Sequence, residues 1–344
     1  MDKIKIAING FGRIGRTVFR LLIDHPQIEV VAINDLADPK TLSHLLKYDS
    51  IHGVLSQHIG YDESSITVNN DHYPLLNTAD IQKLDWSSFH PDIVLECTGK
   101  FKRRKQLEHH LRNGAGKVIL SVPPEDDHIK MVVLGVNEHI LDGSEDIVSN
   151  ASCTTNNAAP MIRVIHEHCG IEQAYITTVH SYTSDQSLHD QPHRDLRRAR
   201  AAAQSIVPTT TGAAKALTKI FPGLSEVIGG CGIRVPVPDG SLTDITFNVA
   251  RETSIEEIKD AFKQAALGEL KGILSYTEDP IVSIDVVNNP HSCVFDAQMT
   301  SVIGKKMVKI IGWYDNEYGY SNRIIDLISF ISAPKRKNQI QGVH

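Results

Sequence analysis

The sequence predicts an α/β protein in two parts. Residues 1–151 read as a parallel sheet covered by helices on both faces, and residues 152–315 as an α+β part with a mixed or antiparallel sheet. Short apolar runs alternate with helical stretches through the first part, the pattern of strands buried on both sides. Beyond about residue 151 the strands lengthen and the alternation stops. At about 150 residues per domain, 344 residues suffice for two.

In chain order, residues 4–8 (IKIAI) read as the first strand. Residues 12–23 carry Ile14, Val18, Leu21 and Leu22 at helical spacing, with Pro26 just beyond the expected helix end. Strands follow at 29–33, 92–96, 117–120 and 131–134. In the second part, residues 158–168 read as a helix, and 174–179, 242–249 and 307–311 as longer strands. Helices at 254–266 and 322–332 interrupt them. Residues 182–208 form a long, polar, Arg-rich stretch with little periodicity; loops of that length are usually functional or disordered. Residues 334–344 are polar and basic and read as a tail.

Lys plus Arg total 35 and Asp plus Glu 41, a net charge of −6 that gives no general attraction to nucleic acid or anionic lipid. The five cysteines, Cys97, Cys153, Cys169, Cys231 and Cys293, are odd in number and form no CxxC pair. They read as reduced thiols with room for one reactive member. The first residues lack a signal-peptide layout, and no apolar run approaches the ~20 residues that span a bilayer. The expected location is the cytoplasm, with neither membrane nor nucleic acid as partner.

Gly10-Phe11-Gly12-Arg13-Ile14-Gly15 follows the first strand and opens the first helix. In that setting Gly10 makes the tight turn, Gly12 lets backbone approach a pyrophosphate, and Gly15 permits close helix–strand packing. The helix N-terminus offers free N–H groups to the phosphates. Asp35 closes the second strand twenty residues after Gly15, placed to accept from an adenosine ribose and to repel a 2′-phosphate. These residues predict a Rossmann-type dinucleotide site with NAD as cofactor.

Cys153 lies among small and polar residues, Ser149 to Asn156, directly before a predicted helix, a setting that favours thiolate. His180 closes the 174–179 strand and is the candidate base. The other four cysteines read as inert, Cys97 as core. None of the paired histidines (His109-His110, His166 and His168, His189 and His193) has the partners of a metal site, so no metal is expected. Thr209 to Lys215 supplies hydroxyls and the Gly212 N–H before a helix: an anion cradle, or equally an ordinary cap. Arg194, Arg197, Arg198 and Arg200 form a solvated face, an interface or an anion site, and Arg234 is a further guanidinium for a phosphate. A dinucleotide site, a thiol, an imidazole and several anion cradles together suggest oxidation of a phosphorylated aldehyde.

Residues 9–16, 149–156, 180–183, 210–215 and 313–323 (WYDNEYGYSNR) occur in an order that resembles the phosphorylating glyceraldehyde-3-phosphate dehydrogenase family, from about residue 3 to 332. The resemblance implies a thioester mechanism with Cys153 as nucleophile and His180 as base. It implies that Thr183 and Arg234, with Asp185 beside them, hold the substrate phosphate. Ser152, Thr154, Thr211 and Gly212, with help from Arg198, would hold the attacking inorganic phosphate, and Arg13, Ile14, Asp35, Ser121 and Asn316 would contact NAD. It further implies a homotetramer in which loop 182–208 packs between subunits, and a C-terminal helix near 316–333 that packs back on the first part. Asn157 stands where the family usually has a second cysteine, residues 76–79 lack a basic residue often found near the adenine, and Pro123, Pro124 and Gly240 also depart from the common pattern. The erythrose-4-phosphate dehydrogenase family is resembled as well at 33–38, 44–49 and 204–206; Tyr182-Thr183 and Thr211–Lys215 argue against it. A dehydrogenase-like scaffold used only for RNA binding or redox sensing is the reading from a different class.

Overall fold

A computed structural model describes residues 3–333; the expected tail at 334–344 lies outside the described residues. The first part runs β1 (Ile4–Asn9), α1 (Arg13–Leu22), β2 (Ile28–Asn34), α2 (Pro39–Lys47), the short pair β3 (Tyr48–Asp49) and β4 (Gly53–Val54), then β5 (Ile59–Tyr61), β6 (Ser65–Val68) and β7 (Asp71–Leu76). It continues through β8 (Ile93–Glu96), α3 (Arg104–Arg112), β9 (Lys117–Leu120), β10 (Lys130–Met131) and β11 (Ile147–Ser149). These strands, apart from β3 and β4, form one sheet in the order β10-β11-β9-β8-β1-β2-β7-β6-β5.

Ile6, Ala7 and Ile8 are fully buried, so β1 is apolar on both faces, as a central parallel strand must be. The expectation of a wholly parallel sheet is corrected at one edge. Strands β5, β6 and β7 pair antiparallel and extend the sheet beyond β2, because short turns reverse the chain within 59–76. The strand expected at 131–134 shrinks to Lys130–Met131, since Val136 and Asn137 donate back to the Val133 carbonyl and turn the chain.

The second part runs α4 (Cys153–Cys169), β12 (Ile171–Ser181), β13 (Val207–Thr209), α5 (Gly212–Ile220), β14 (Ile228–Val235), β15 (Ser241–Val249) and α6 (Ile255–Leu267). Then come β16 (Leu274–Thr277), β17 (Cys293–Asp296), β18 (Ser301–Ile303), β19 (Met307–Tyr314) and α7 (Tyr318–Ser332). The strand order is β13-β14-β12-β15-β19-β17-β16, with β18 beside β19. β12 and β14 run parallel, as do β16 and β17, while the other pairs are antiparallel, so this sheet is mixed. Ile162 and Ile165 of α4, Leu217 of α5 and Phe262 of α6 share a core with Phe247 and Phe295 of the sheet. Helix α7 packs in the other core: Tyr320, Ile324, Leu327 and Ile328 join Val18, Phe19 and Leu22 of α1. Among the described residues no helix is long and apolar enough to cross a membrane.

The crest of the first sheet is tied by a buried polar chain. Asn34 Nδ2 donates to Asn9 Oδ1 (2.8 Å), and Asn9 Nδ2 to Glu96 Oε2 (2.6 Å). His110 Nε2 lies 3.0 Å from the same carboxylate oxygen, and Trp86 Nε1 donates to His110 Nδ1 at 3.0 Å. An indole N–H can only donate, so Nδ1 accepts and His110 is neutral with its proton on Nε2, directed at Glu96. Removing that indole in Trp86→Phe leaves Nδ1 buried without its donor. We expect a cost of about 1–3 kcal/mol, read as a lower urea midpoint at unchanged slope.

Candidate active site

Cys153 opens α4 and His180 lies at the far end of β12. The helix runs away from the site and the strand runs back, turning at Gly170 (φ +68°). The result is a separation of 3.6 Å between Cys153 Sγ and His180 Nε2. Ser152 caps α4 by accepting from Thr155 N at 3.2 Å, so the helix starts at Cys153 rather than at the expected 158. Ala151 holds the left-handed φ of +56°, uncommon for a residue with a Cβ, and its carbonyl accepts from Tyr320 Oη at 3.2 Å. This bend turns the chain from the end of β11 into the helix that presents the thiol.

His180 Nδ1 is 2.7 Å from the Ser181 carbonyl, and Arg234 Nη1 is 2.6 Å from the same nitrogen and 2.9 Å from that carbonyl. Arg234 reaches it because β12 and β14 run parallel with His180 opposite Arg234. The carbonyl can only accept and the guanidinium can only donate, so the two compete for Nδ1. In the tautomer that gives Nδ1–H to Ser181, the Nε2 lone pair faces the thiol, which is the basic arrangement. The edge of the Tyr314 ring faces the imidazole at 6.1 Å between centroids, and Tyr314 Oη is 2.8 Å from Thr154 Oγ1.

The electrostatics correct the simple expectation of a lowered thiol. Burial pushes Cys153 up, against the opposing pull of Arg234 and the Thr154 backbone N–H. Burial, then the Arg234 charge, push His180 down. A lone thiolate and a lone imidazolium are each unfavourable here, whereas proton transfer from sulfur to Nε2 would create both charges in contact.

The other expected residues fall into groups. Thr211 caps α5, accepting from Ala213 N at 3.2 Å, and Gly212 is the first helical residue. Asp185 and Arg198 form an ion pair within the 182–208 loop, with Thr183 two residues before Asp185. Asn316 Oδ1 accepts from Ser241 Oγ at 2.7 Å. Gly240 has φ +80°, and a Cβ there would lie 2.0 Å from the Ser283 carbonyl oxygen, which gives this departure from the family pattern a steric reason. Asn157 is buried and donates to the Ser292 and Trp313 carbonyls.

The dinucleotide motif sits where the strand order reverses, with β1 between β2 and β8, the crevice where such sheets bind ligands. A Cβ on Gly15 would lie 2.2 Å from the Gly10 oxygen, whereas Gly12 has open space around it, leaving its backbone approachable. Asp35 Oδ2 accepts from Phe11 N at 2.7 Å, which fixes the acid against the glycine turn. Ser121 Oγ donates to the Glu96 carbonyl at 2.9 Å. Ile14 packs its side chain against the first core. These residues fit a dinucleotide: a bare backbone turn, a helix N-terminus and a carboxylate stand at one strand edge. The Arg13 side chain is committed elsewhere, to Asp49 (2.6 Å) and to Glu317. Asp49 and His52 carried no sequence signal, and Glu317 lay unremarked inside the 313–323 motif. His52, Asp239 and Asp315 also lie close together, a group that sequence spacing did not indicate.

Comparison with known proteins agrees with this geometry. Residues 4–104 match the family model for the glyceraldehyde 3-phosphate dehydrogenase NAD binding domain, and residues 152–316 that for its C-terminal domain. The chain is 50% identical over 330 residues to glyceraldehyde-3-phosphate dehydrogenase 2 of Streptomyces avermitilis, covering 95% of this chain and 98% of that protein. It is 49% identical over 331 residues to the Geobacillus stearothermophilus enzyme, covering 96% and 98%, and 50% identical over 329 residues to that of Thermotoga maritima, covering 95% and 98%. With both parts matched in order and the alignment nearly end to end, the chain belongs to the glyceraldehyde 3-phosphate dehydrogenase family.

Proposed function

We propose that the chain oxidises glyceraldehyde 3-phosphate to 1,3-bisphosphoglycerate with NAD and inorganic phosphate, through a thioester on Cys153. The observation that carries this reading is the 3.6 Å contact of Cys153 Sγ with His180 Nε2 at a helix N-terminus beside Arg234. Residues 1–151 together with α7 make up the cofactor part, and residues 152–315 the catalytic part.

The Cys153 sulfur attacks the aldehyde carbon as the carbonyl electrons move to oxygen. The thiol proton passes to His180 Nε2 and from there to that oxygen, giving a hemithioacetal. His180 then withdraws the hydroxyl proton as the carbon gives up a hydride, leaving the acyl thioester. NAD, when bound, supplies the hydride acceptor; Gly10, Gly12, Ile14, Gly15, Asp35, Ser121 and Asn316 would hold it, with Arg13 through its backbone at the start of α1. An oxygen of inorganic phosphate attacks the thioester carbon, the C–S bond breaks, and its electrons return to sulfur as the acyl phosphate leaves. Thr183 and Arg234, with Asp185 beside them, hold the substrate phosphate. Ser152, Thr154, Thr211 and Gly212 hold the attacking phosphate with help from Arg198, which is paired to Asp185, and two helix N-termini, of α4 and α5, add positive potential.

A homotetramer is part of the proposal. Tyr175 and Met307 stand exposed on the open face of the second sheet, and Leu188, Leu196 and Ile206 on the 182–208 loop, apolar surface that copies of the chain would cover. A cytoplasmic location fits five cysteines that are all free.

Cys153→Ser is expected to abolish NADH formation from glyceraldehyde 3-phosphate plus phosphate while leaving NAD binding in place; retained turnover would remove the thioester. His180→Asn should lower kcat by about 10²–10⁴-fold and slow iodoacetamide alkylation of Cys153 at neutral pH, because the proton acceptor is gone. An unchanged alkylation rate would mean that the thiol ionises without the imidazole. Asp35→Gly should relax discrimination against NADP, read as a rise in the NADP-to-NAD ratio of kcat/KM.

A further inference from the structure

A buried knot of charge joins the two parts of the chain beside Asn316. Arg13 bridges Asp49 and Glu317. His52, in the turn between β3 and β4, places Nε2 3.0 Å from Glu317 Oε2 and Nδ1 2.8 Å from Asn288 Oδ1. Asp315 accepts three backbone hydrogen bonds, from Glu317 N (2.8 Å), Tyr318 N (2.6 Å) and Asn288 N (2.8 Å). Asp239 packs into this group with 1% exposure. Its Oδ1 accepts from Asn316 N at 3.3 Å, while Oδ2 is buried and meets no donor. Oxygens of Asp239 and Asp315 lie with a His52 ring nitrogen within 4.8 Å of one another.

Two buried carboxylates this close must share a proton or a cation. A cation held by this trio would need a lone pair from His52, but both ring nitrogens face oxygens that accept, an arrangement that favours a protonated ring. Burial works against that charge, and Glu317, Asp315 and Asn288 outweigh it, raising His52 above its ordinary range. Asp315 is already filled by three N–H donors while Asp239 Oδ2 has none, which leaves the proton to Asp239.

We propose that Asp239 is a positioning residue that works as a neutral acid, donating its proton to Asp315 and so holding the backbone of Asn316, the proposed NAD contact. The inference rests on the NAD reading above. The charged and titratable groups around Asp239 are Asp315 and Glu317 before and at the start of α7, His52 from the β3–β4 turn with Arg13 and Asp49 behind it, and the Cys153 thiol toward the active site. Burial first, then the charges of Asp315 and Glu317, push the Asp239 carboxyl up to about 8. Below that pH the acid keeps its proton and the link to Asp315. Above it, a third negative charge forms against Asp315 and Glu317, and the turn that carries Asn316 loosens. His52 also loses its proton as pH rises, so the contribution of Asp239 must be isolated by substitution.

The test is NAD binding by the full chain, titrated calorimetrically from neutral to alkaline pH. The native Kd should be flat near neutrality and rise above pH 8 by up to about tenfold per pH unit. Asp239→Asn, whose amide donates to Asp315 at every pH, should bind as the native chain does near neutrality and lose that rise. Asp239→Leu, with no donor, should bind weakly throughout. A second measurement needs no variant: the infrared carbonyl band of a buried protonated carboxyl should be present in the native chain at neutral pH and vanish over the same range. Parallel profiles for the native chain and Asp239→Asn, absence of that band, or a native Kd that shifts on adding EDTA would overturn the proposal while leaving the NAD reading intact. A native chain that binds no NAD at any pH would overturn the NAD reading and the proposal with it.

Discussion

The site depends on one helix and one strand ending at the same place. Seventeen residues of α4 carry the chain about 25 Å from Cys153, and β12 brings it back over about 30 Å to His180. Twenty-seven positions in sequence thus become a contact of 3.6 Å. The match of lengths is enforced by packing, because α4 lies on the sheet that contains β12 and both share one apolar core. Arg234 arrives by the same logic, one parallel strand over and in register with His180. A slip of one residue in that pairing would turn the guanidinium to the opposite face of the sheet.

Burial is what makes this arrangement chemically demanding. It disfavours charge on Cys153 and on His180 taken singly, and it raises Asp239 in the neighbouring knot. In each place the chain answers by pairing: sulfur with imidazole, carboxyl with carboxylate through a proton, Arg13 with two acids. The glycine turn is treated in the same way. Asp35 accepts from Phe11 N with one oxygen and from Ala37 N with the other, so the acid and the glycine turn are set together.

What was legible in the sequence was what is local. The strand–GFGRIG–helix order, Asp35 at the end of the next strand and Cys153 before a helix are all short-range patterns; the structure keeps the first, places Asp35 one residue past β2, and makes Cys153 the first residue of a helix that starts five residues earlier than expected. The antiparallel edge at 59–76 was overlooked although Ser65-Ile66-Thr67-Val68 alternates as a strand should, because the βα rhythm on either side suggested a parallel sheet throughout. The knot of Arg13, Asp49, His52, Asp239, Asp315 and Glu317 could not be read, since its members come from four distant segments and no spacing links them. The effect of burial on the thiol was hidden for the same reason: it depends on packing from Tyr314, Tyr320 and Arg234, all distant in sequence. The left-handed Ala151 gives no signal either, since alanine, unlike glycine or asparagine, does not point to such a bend.

The seating of α7 against α1 bears on how the molecule comes into being. The first core is completed by residues made about 300 positions after α1, so a nascent chain holding only the first 300 residues presents the bare α1 groove where Ile324, Leu327 and Ile328 belong. The amino-terminal part therefore cannot close its core before α7 is made. Until then, that uncovered groove is the surface on which chaperones, or sticky encounters between neighbouring unfinished chains, would act.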